Sequence, residues 1–369
     1  MAGSLPAGVT LFDDGVATEY RGAPTSAGES VFTLLYLDPA TGDSSSATCT
    51  VSVKNDVALD PTLAVSRIAA ADRYSESVAI SKVVAPGTAP LVYLASGEVF
   101  ADALSGGSIA AQRGAPILLT TKGAVTEVVL AELSRLSPKN IVVLGGEASV
   151  SPAVIAQLGG LTPAPTVTRI GGADRYEVSR NLIGNAAFGT TKSSTVLLAT
   201  GSTFADALSA SPAAAKIPGP VLLVDGSQPS LSAAEAALIS TLKPDVIGLL
   251  GGTASISEAM ESSLRTSGQD AVRVFGENRF FVSSHIAAIA FQTGSTDTVY
   301  LATGASFPDA LAGAPLAVAS KSPILLTTRD CIPVDAAHRI NTLGATKVVL
   351  LGGPASVGPE VAALRVCAP

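Results

Sequence analysis

From residue 90 to the C-terminus, short and wholly apolar runs alternate with longer amphipathic stretches. Leu91 to Ala95, Ile117 to Thr120 and Ile141 to Leu144 are three such runs. None alternates between apolar and polar positions, so each reads as a parallel strand covered on both faces. The stretch from Thr126 to Leu136 instead spaces Val129, Leu130, Leu133 and Leu136 along one side of a helix. Later stretches keep Ile239 and Leu242, then Ile340 and Leu343, at the places of Leu133 and Leu136. Ser151-Pro152, Ser257-Glu258 and Gly358-Pro359 stand where an N-cap and first-turn residue would open a further helix. This succession predicts small α/β layers with right-handed crossovers.

The pattern occurs three times. Arg67-Ile-Ala-Ala-Ala-Asp-Arg-Tyr74 returns as Arg169-Ile-Gly-Gly-Ala-Asp-Arg-Tyr176 and, more loosely, as Arg273-Val-Phe-Gly-Glu-Asn-Arg-Phe280. Phe100-Ala-Asp-Ala-Leu104 returns as Phe204-Ala-Asp-Ala-Leu208 and Phe307-Pro-Asp-Ala-Leu311. Pro116-Ile-Leu-Leu119 is followed by Pro220-Val-Leu-Leu223 and Pro323-Ile-Leu-Leu326, and Leu-Gly-Gly closes each copy at 144–146, 250–252 and 351–353. Four markers in one order, three times over, define repeats at residues 65–164, 165–268 and 269–369. Residues 1–57 differ in kind: runs such as Ser30 to Leu37 and Ala47 to Val53 read as antiparallel strands, with 58–64 as the linker.

Hydrophobic residues make up 47% of the 369 and charged residues 14%, which excludes a disordered chain. No apolar run approaches the roughly eighteen residues of a membrane span, so no membrane insertion is expected. A net charge of −7 argues against a nucleic-acid partner or a general anionic surface. The three cysteines, Cys49, Cys331 and Cys367, lack the spacing of a metal cluster. In an exported chain, Cys331 with Cys367 would form one disulfide and leave Cys49 over. The start of the chain shows no signal-peptide pattern. The domain content nevertheless suggests part of a longer exported protein.

Repetition sorts the candidate chemistry, because residues serving a shared function should recur in the shared frame. His285 falls at the place of Ala79 and Asn181, and His338 at that of Ala131 and Ala237, so neither belongs to common machinery. No nucleophile elbow, zinc signature or dinucleotide fingerprint occurs, and no catalytic residue, metal or cofactor is expected. Gly145, Gly251 and Gly352 are left, either permitting a tight turn or offering amides to an anion at a helix start. Arg73, Arg175 and Arg279 recur, as do Asp102, Asp206 and Asp309. They read either as ion pairs and caps or as ligand contacts.

The four markers resemble the cell-wall-binding repeat type 2 family of Gram-positive surface proteins, over residues 65 to 367. Leu5-Pro-Ala-Gly-Val-Thr10 and Val31-Phe-Thr-Leu34 in the first segment resemble part of a bacterial immunoglobulin-like domain. The fold expected is three tandem Rossmann-like or flavodoxin-like parallel-sheet modules with pseudo-threefold packing, behind a short all-β segment. The resemblance implies a secreted, non-catalytic protein held at the cell wall through an anionic polymer, teichoic-acid-like or a secondary polysaccharide. It also implies attachment through Ile117, Leu118 and Leu119, Val221, Leu222 and Leu223, and Ile324, Leu325 and Leu326, although the residues by themselves read first as core strands. Copy one departs at Ala69 and Ala70, and copy three at Asn278 and Phe280. Two other readings compete: an α/β enzyme acting on a wall glycan or phosphate-containing ligand at its strand ends, and a self-associating surface-layer component.

Overall fold

In the computed structural model, the described residues are 57–368 apart from 101, 191, 214, 215 and 218, together with the backbone of the strands in 1–56. The chain divides into two units, Met1–Ala58 with Ala368–Pro369, and Leu59–Cys367. In the smaller one, β1 (Ala2–Gly3) pairs antiparallel with β4 (Gly28–Leu37), while β2 (Thr10–Asp13) pairs with β3 (Thr18–Arg21). Strand β4 also pairs antiparallel with β5 (Ser44–Val53) from Gly28↔Val53 to Leu37↔Ser44, which contains both expected strands. The side chain of Cys49 lies outside the described residues.

The larger unit is α/β throughout. Copy one contributes β6 (Ala64–Ile68), α1 (Arg73–Val84), β7 (Leu91–Ser96), α2 (Leu104–Gln112), β8 (Ile117–Thr120), α3 (Glu127–Leu136), β9 (Asn140–Leu144) and α4 (Pro152–Gly159). Copy two follows with β10 (Thr166–Ile170), α5 (Arg175–Ile183), β11 (Thr195–Thr200), α6 (Ala205–Ala213), β12 (Val221–Val224), α7 (Ala233–Leu242), β13 (Val246–Leu250) and α8 (Glu258–Thr266). Copy three has β14 (Ala271–Val274), α9 (Arg279–Ala290), β15 (Thr298–Thr303), α10 (Pro308–Ala319), β16 (Ile324–Thr327), α11 (Val334–Leu343), β17 (Lys347–Leu351) and α12 (Pro359–Ala362). The strands and helices expected from periodicity and capping are all present.

Sheets and sequence copies are out of step by one strand. The three parallel sheets run β10-β9-β7-β8, β12-β11-β13-β14 and β16-β15-β17-β6. Each therefore takes its last strand from the opening of the next copy, and β6, at the start of the first copy, completes the sheet of the third from Lys347↔Ala64 to Leu351↔Ile68. These opening strands are polar and only partly covered, as in Ala64-Val-Ser-Arg-Ile68, which suits an edge. The helix after each one packs elsewhere: α1 lies on β8 and α3 of its own copy and on α10 of copy three. The copies are thereby laced into a closed cycle.

At the opposite edges the apolar strands β8, β12 and β16 are covered by helices from a neighbouring copy, α10, α2 and α6 respectively. An edge strand leaves amides that need acceptors once buried. Ser77, Ser179 and Ser283 supply them, each hydroxyl accepting from the amide of Leu119, Leu223 or Leu326 at 3.0–3.1 Å. Ser108 of copy one likewise accepts from Val221 of copy two at 3.1 Å. A single core, including Leu104, Leu119, Leu208, Leu223, Leu311 and Leu351, runs through all three copies. A second cluster gathers Val129, Leu133 and Leu136 under copy one's own helix α3, as their spacing predicted. Cys331 and Cys367 are disulfide-bonded, with Cα atoms 4.9 Å apart, tying the end of the unit to the turn before α11.

Candidate functional site

The arginine-rich marker is the hinge by which the chain leaves one sheet for the next copy. Its first arginine reaches across: Arg169 donates to the Gly145 carbonyl at 2.8 Å, Arg273 to Gly251 at 3.0 Å and Arg67 to Gly352 at 2.5 Å. The acidic position caps the following helix, with Asp72 accepting from the Ser75 amide and Asp174 from Glu177, both at 2.8 Å. Asn278 does the same for Phe280 and Phe281, so its departure from Asp keeps the cap. The second arginine then folds back. Arg73 donates to the Gly97 carbonyl, Arg175 to Gly201 at 2.5 Å and Arg279 to Gly304 at 2.5 Å. A side chain on any of these glycines would collide with the arginine and with Tyr74, Tyr176 or Phe280 beside it.

Gly97, Gly201 and Gly304 lie just past the carboxyl ends of β7, β11 and β15, where open parallel sheets ordinarily bind ligands. The following loops bring three phenyl rings together. Phe100 meets Phe204 edge-on at 5.6 Å between centroids and Phe307 at 6.0 Å. The arginine of the next copy covers the ring before it, Arg175 over Phe100 and Arg279 over Phe204, each 5.5 Å from the centroid. Phe100 and Phe204 remain partly exposed, and Arg73 and Arg279 are exposed. The result is a shared mouth with an aromatic floor and a cationic rim. The phenylalanines open a marker that recurs in the sequence, but neither they nor the three glycines, which recur at the same spacing, were read there as site residues.

The aspartates sit beneath this mouth. Asp206 and Asp309 are 7% and 6% exposed. Ser149 donates to Asp102, and Ser255 to Asp206 at 3.3 Å, so a recurrent Ala-Ser after each Gly-Gly, also missed in the sequence, belongs with the aspartate. Burial raises Asp206 and Asp309 above the usual carboxylate range, opposed by the hydroxyls of Ser255 and Ser356 and by the charges of Arg279 and Arg73. The arginine influencing each aspartate belongs to the next copy in the cycle. Among the described residues no ion pair joins the two sets. The expected Asp–Arg pairing is thus a longer-range attraction across a junction.

Of the two readings of the Gly-Gly pairs, the geometry favours the tight turn over the anion cradle. Gly145, Gly251 and Gly352 have φ of +103°, +96° and +108°, which favours glycine. A Cβ there would overlap the carboxylate of Asp102, Asp206 or Asp309. The helices begin only at Pro152, Glu258 and Pro359, after a further turn. Instead of a helix start open to an anion, each glycine meets the chain's own carboxyl group.

The nine residues Ile117, Leu118, Leu119, Val221, Leu222, Leu223, Ile324, Leu325 and Leu326 are no more than 2% exposed. They form the strands buried between copies, and their side chains reach no surface at which a polymer could touch them. His285 donates through Nδ1–H to the Phe275 carbonyl, 3.1 Å away, as Asn181 donates to the Gly171 carbonyl at 2.7 Å in the same frame. His338 is exposed on α11.

Residues 67–155, 169–261 and 273–362 match the family described as Cell wall binding domain 2. The N-acetylmuramoyl-L-alanine amidase LytC of Bacillus subtilis is 29% identical over 298 residues, which are 81% of this chain and 57% of the amidase. The amidase enhancer of the same organism is 36% identical over 212 residues, 57% of this chain and 28% of the enhancer. The chain thus spans only part of these relatives. Among solved structures, Cwp6 from Clostridium difficile superposes with a TM-score of 0.73 at 20% identity, covering 98% of this chain and 57% of that one. Cwp8 from Clostridium difficile gives 0.70 at 24% identity, covering 92% and 59%. Both share the fold. With three matched segments spanning most of its length, the chain belongs to the Cell wall binding domain 2 family, in three tandem copies.

Proposed function

We propose that this chain attaches a secreted protein to the bacterial cell wall by non-covalent binding of an anionic wall polymer, teichoic-acid-like or a secondary polysaccharide. The observation that carries this reading is the shared mouth, where arginines from successive copies stand over phenyl rings at the ends of three sheets. Guanidinium groups recognise phosphate and carboxylate in fixed geometry, and flat rings offer apolar faces to sugars. In an acidic chain such a rim concentrates positive charge locally. The sequence copies 65–164, 165–268 and 269–369 each supply one third of it. Activity of the wider protein belongs to regions outside these repeats, and residues 1–57 serve as an immunoglobulin-like spacer.

The test is co-sedimentation of the purified chain with cell walls before and after anionic polymers are stripped. Binding should be lost with the polymer, and equal binding to stripped walls would overturn the reading.

A further inference from the structure

The three copies provide an internal control for finding a more local site. At each junction the first arginine of the marker holds the glycine carbonyl of the neighbouring strand with one N–H. A guanidinium has five, so up to four remain for other partners. At the junction of copies two and three, Arg273 spends another on Glu261 at 2.7 Å and approaches the Ser257 carbonyl at 3.4 Å. The position of Glu261 is Ile155 in copy one and Ala362 in copy three. The corresponding arginines, Arg169 and Arg67, therefore meet no carboxylate from that helix.

Arg169 lines a surface with a second arginine and no carboxylate, whereas Arg273 and its neighbour Arg265 are bridged by Glu261. Helix α5 carries Arg180 where α1 has Val78 and α9 has Ser284. Arg169 and Arg180 line an open cleft of about 470 Å³ with Gly171, Asn181, Gly184 and Asn185, and no carboxylate lines it among the described residues. Arg180 forms an ion pair with the buried Glu235 of α7, whose Oε1 lies 3.7 Å away, outside the cleft lining and beyond hydrogen-bond distance. Its other oxygen is engaged by the Ser232 amide in the cap of α7. Both arginines are only partly buried, so water reaches the cleft.

We infer that the cleft between β10 and α5 is an anion subsite, taking one phosphate or carboxylate group through Arg169 and Arg180. Its ligand as a wall-polymer residue rests on the function proposed above, while the subsite itself follows from the paired guanidiniums. At the junction of copies two and three the neighbouring arginines Arg265 and Arg273 are bound to Glu261, and α1 and α9 carry no arginine at the place of Arg180, which makes binding by the three copies unequal.

Two measurements on the whole chain separate these claims. In the first, inorganic pyrophosphate is titrated while the backbone amides of Asn181 and Asn185 are followed by NMR. Saturable shifts are expected in the wild type and should vanish in Arg180→Ser, a residue already tolerated at this position in copy three. Absence of saturable shifts at these amides in the wild type overturns the subsite, whatever the chain does with walls. In the second, wall affinity is compared between the wild type, Arg180→Ser and the charge-matched control Arg329→Ser on an exposed turn. A loss of about tenfold or more is expected for Arg180→Ser alone, as removal of a charge-assisted contact implies. Equal affinity of the two variants would remove the subsite from wall binding. Saturable pyrophosphate shifts in a wild type that ignores walls would instead refute wall attachment and leave the subsite standing.

Discussion

The junction that closes the cycle, between copies three and one, differs from the other two at one buried position. Val178 and Val282 are 1% and 3% exposed in the first turns of α5 and α9, and the same slot in α1 holds Glu76, 4% exposed. Its Oε1 has no hydrogen-bond partner among the described residues, and neither has Oδ2 of Asp309. Burial first, and then the charge of Asp309, push the Glu76 carboxyl up to about 8, against the pull of Arg67. A slot shaped for valine accepts this carboxyl as the neutral acid. At this slot two junctions carry a buried apolar side chain, while the third carries a titratable one. Repeated architecture does not make repeated joints equally strong.

The sharpest way to break this difference is Glu76→Val, which makes the third junction like the others. The folded carboxyl keeps its proton up to about pH 8, whereas an unfolded one releases it near its ordinary value of 4.5. Across that window the native state binds the extra proton, so wild-type stability falls as pH rises from about 4.5 to about 8. Thermal or urea unfolding should show this decline in the wild type and a flatter profile in Glu76→Val. The variant's gain above pH 8 should be on the order of several kcal/mol. Equal slopes for the two proteins would show that Glu76 does not titrate as its surroundings imply.

Smaller effects sharpen the comparison from the other side. Leu119→Ala, Leu223→Ala and Leu326→Ala each empty a fully buried site between copies, and each should cost about 2–5 kcal/mol by urea unfolding. Similar costs would mean that the apolar edges are equivalent and that the inequality lies at Glu76. Replacing Cys331 and Cys367 by serine should cost about 2–4 kcal/mol and lower the wild-type melting temperature under non-reducing conditions. Least of all, Ser77→Ala, Ser179→Ala and Ser283→Ala leave one buried strand amide without its acceptor. Each should lose about 1–3 kcal/mol, with amide exchange at Leu119, Leu223 or Leu326 reporting the opening.

Much of the fold was legible because its markers are local. The wholly apolar runs at β7, β8 and β9 and the amphipathic helix α3 follow from period and burial, and the cap of α8 from Ser257, whereas Ser151 stands at the start of α4 without a cap bond from its hydroxyl. The Asp-Arg-Tyr marker was visible but its role was not. Capping by Asp72 can be inferred from position, whereas the bond from Arg73 to Gly97 depends on a loop 24 residues away. Gly97, Gly201 and Gly304 recur plainly, yet a glycine says nothing of which arginine lies against it until the chain is folded.

The sequence alone determined the triplication and the α/β character of each copy, which rest on spacing and local propensity, and its four repeated markers carried the resemblance to the family. Only the tertiary structure decided that Ala64–Ile68 completes the sheet of the last copy, and that the Ile-Leu-Leu strands are buried between copies. It alone brought three phenylalanines together and set two of them, Phe100 and Phe204, under the arginine of the next copy. Strand pairing and junction packing are set by which surfaces meet, and residues some 285 positions apart meet through the summed burial of the whole unit rather than through any local pattern.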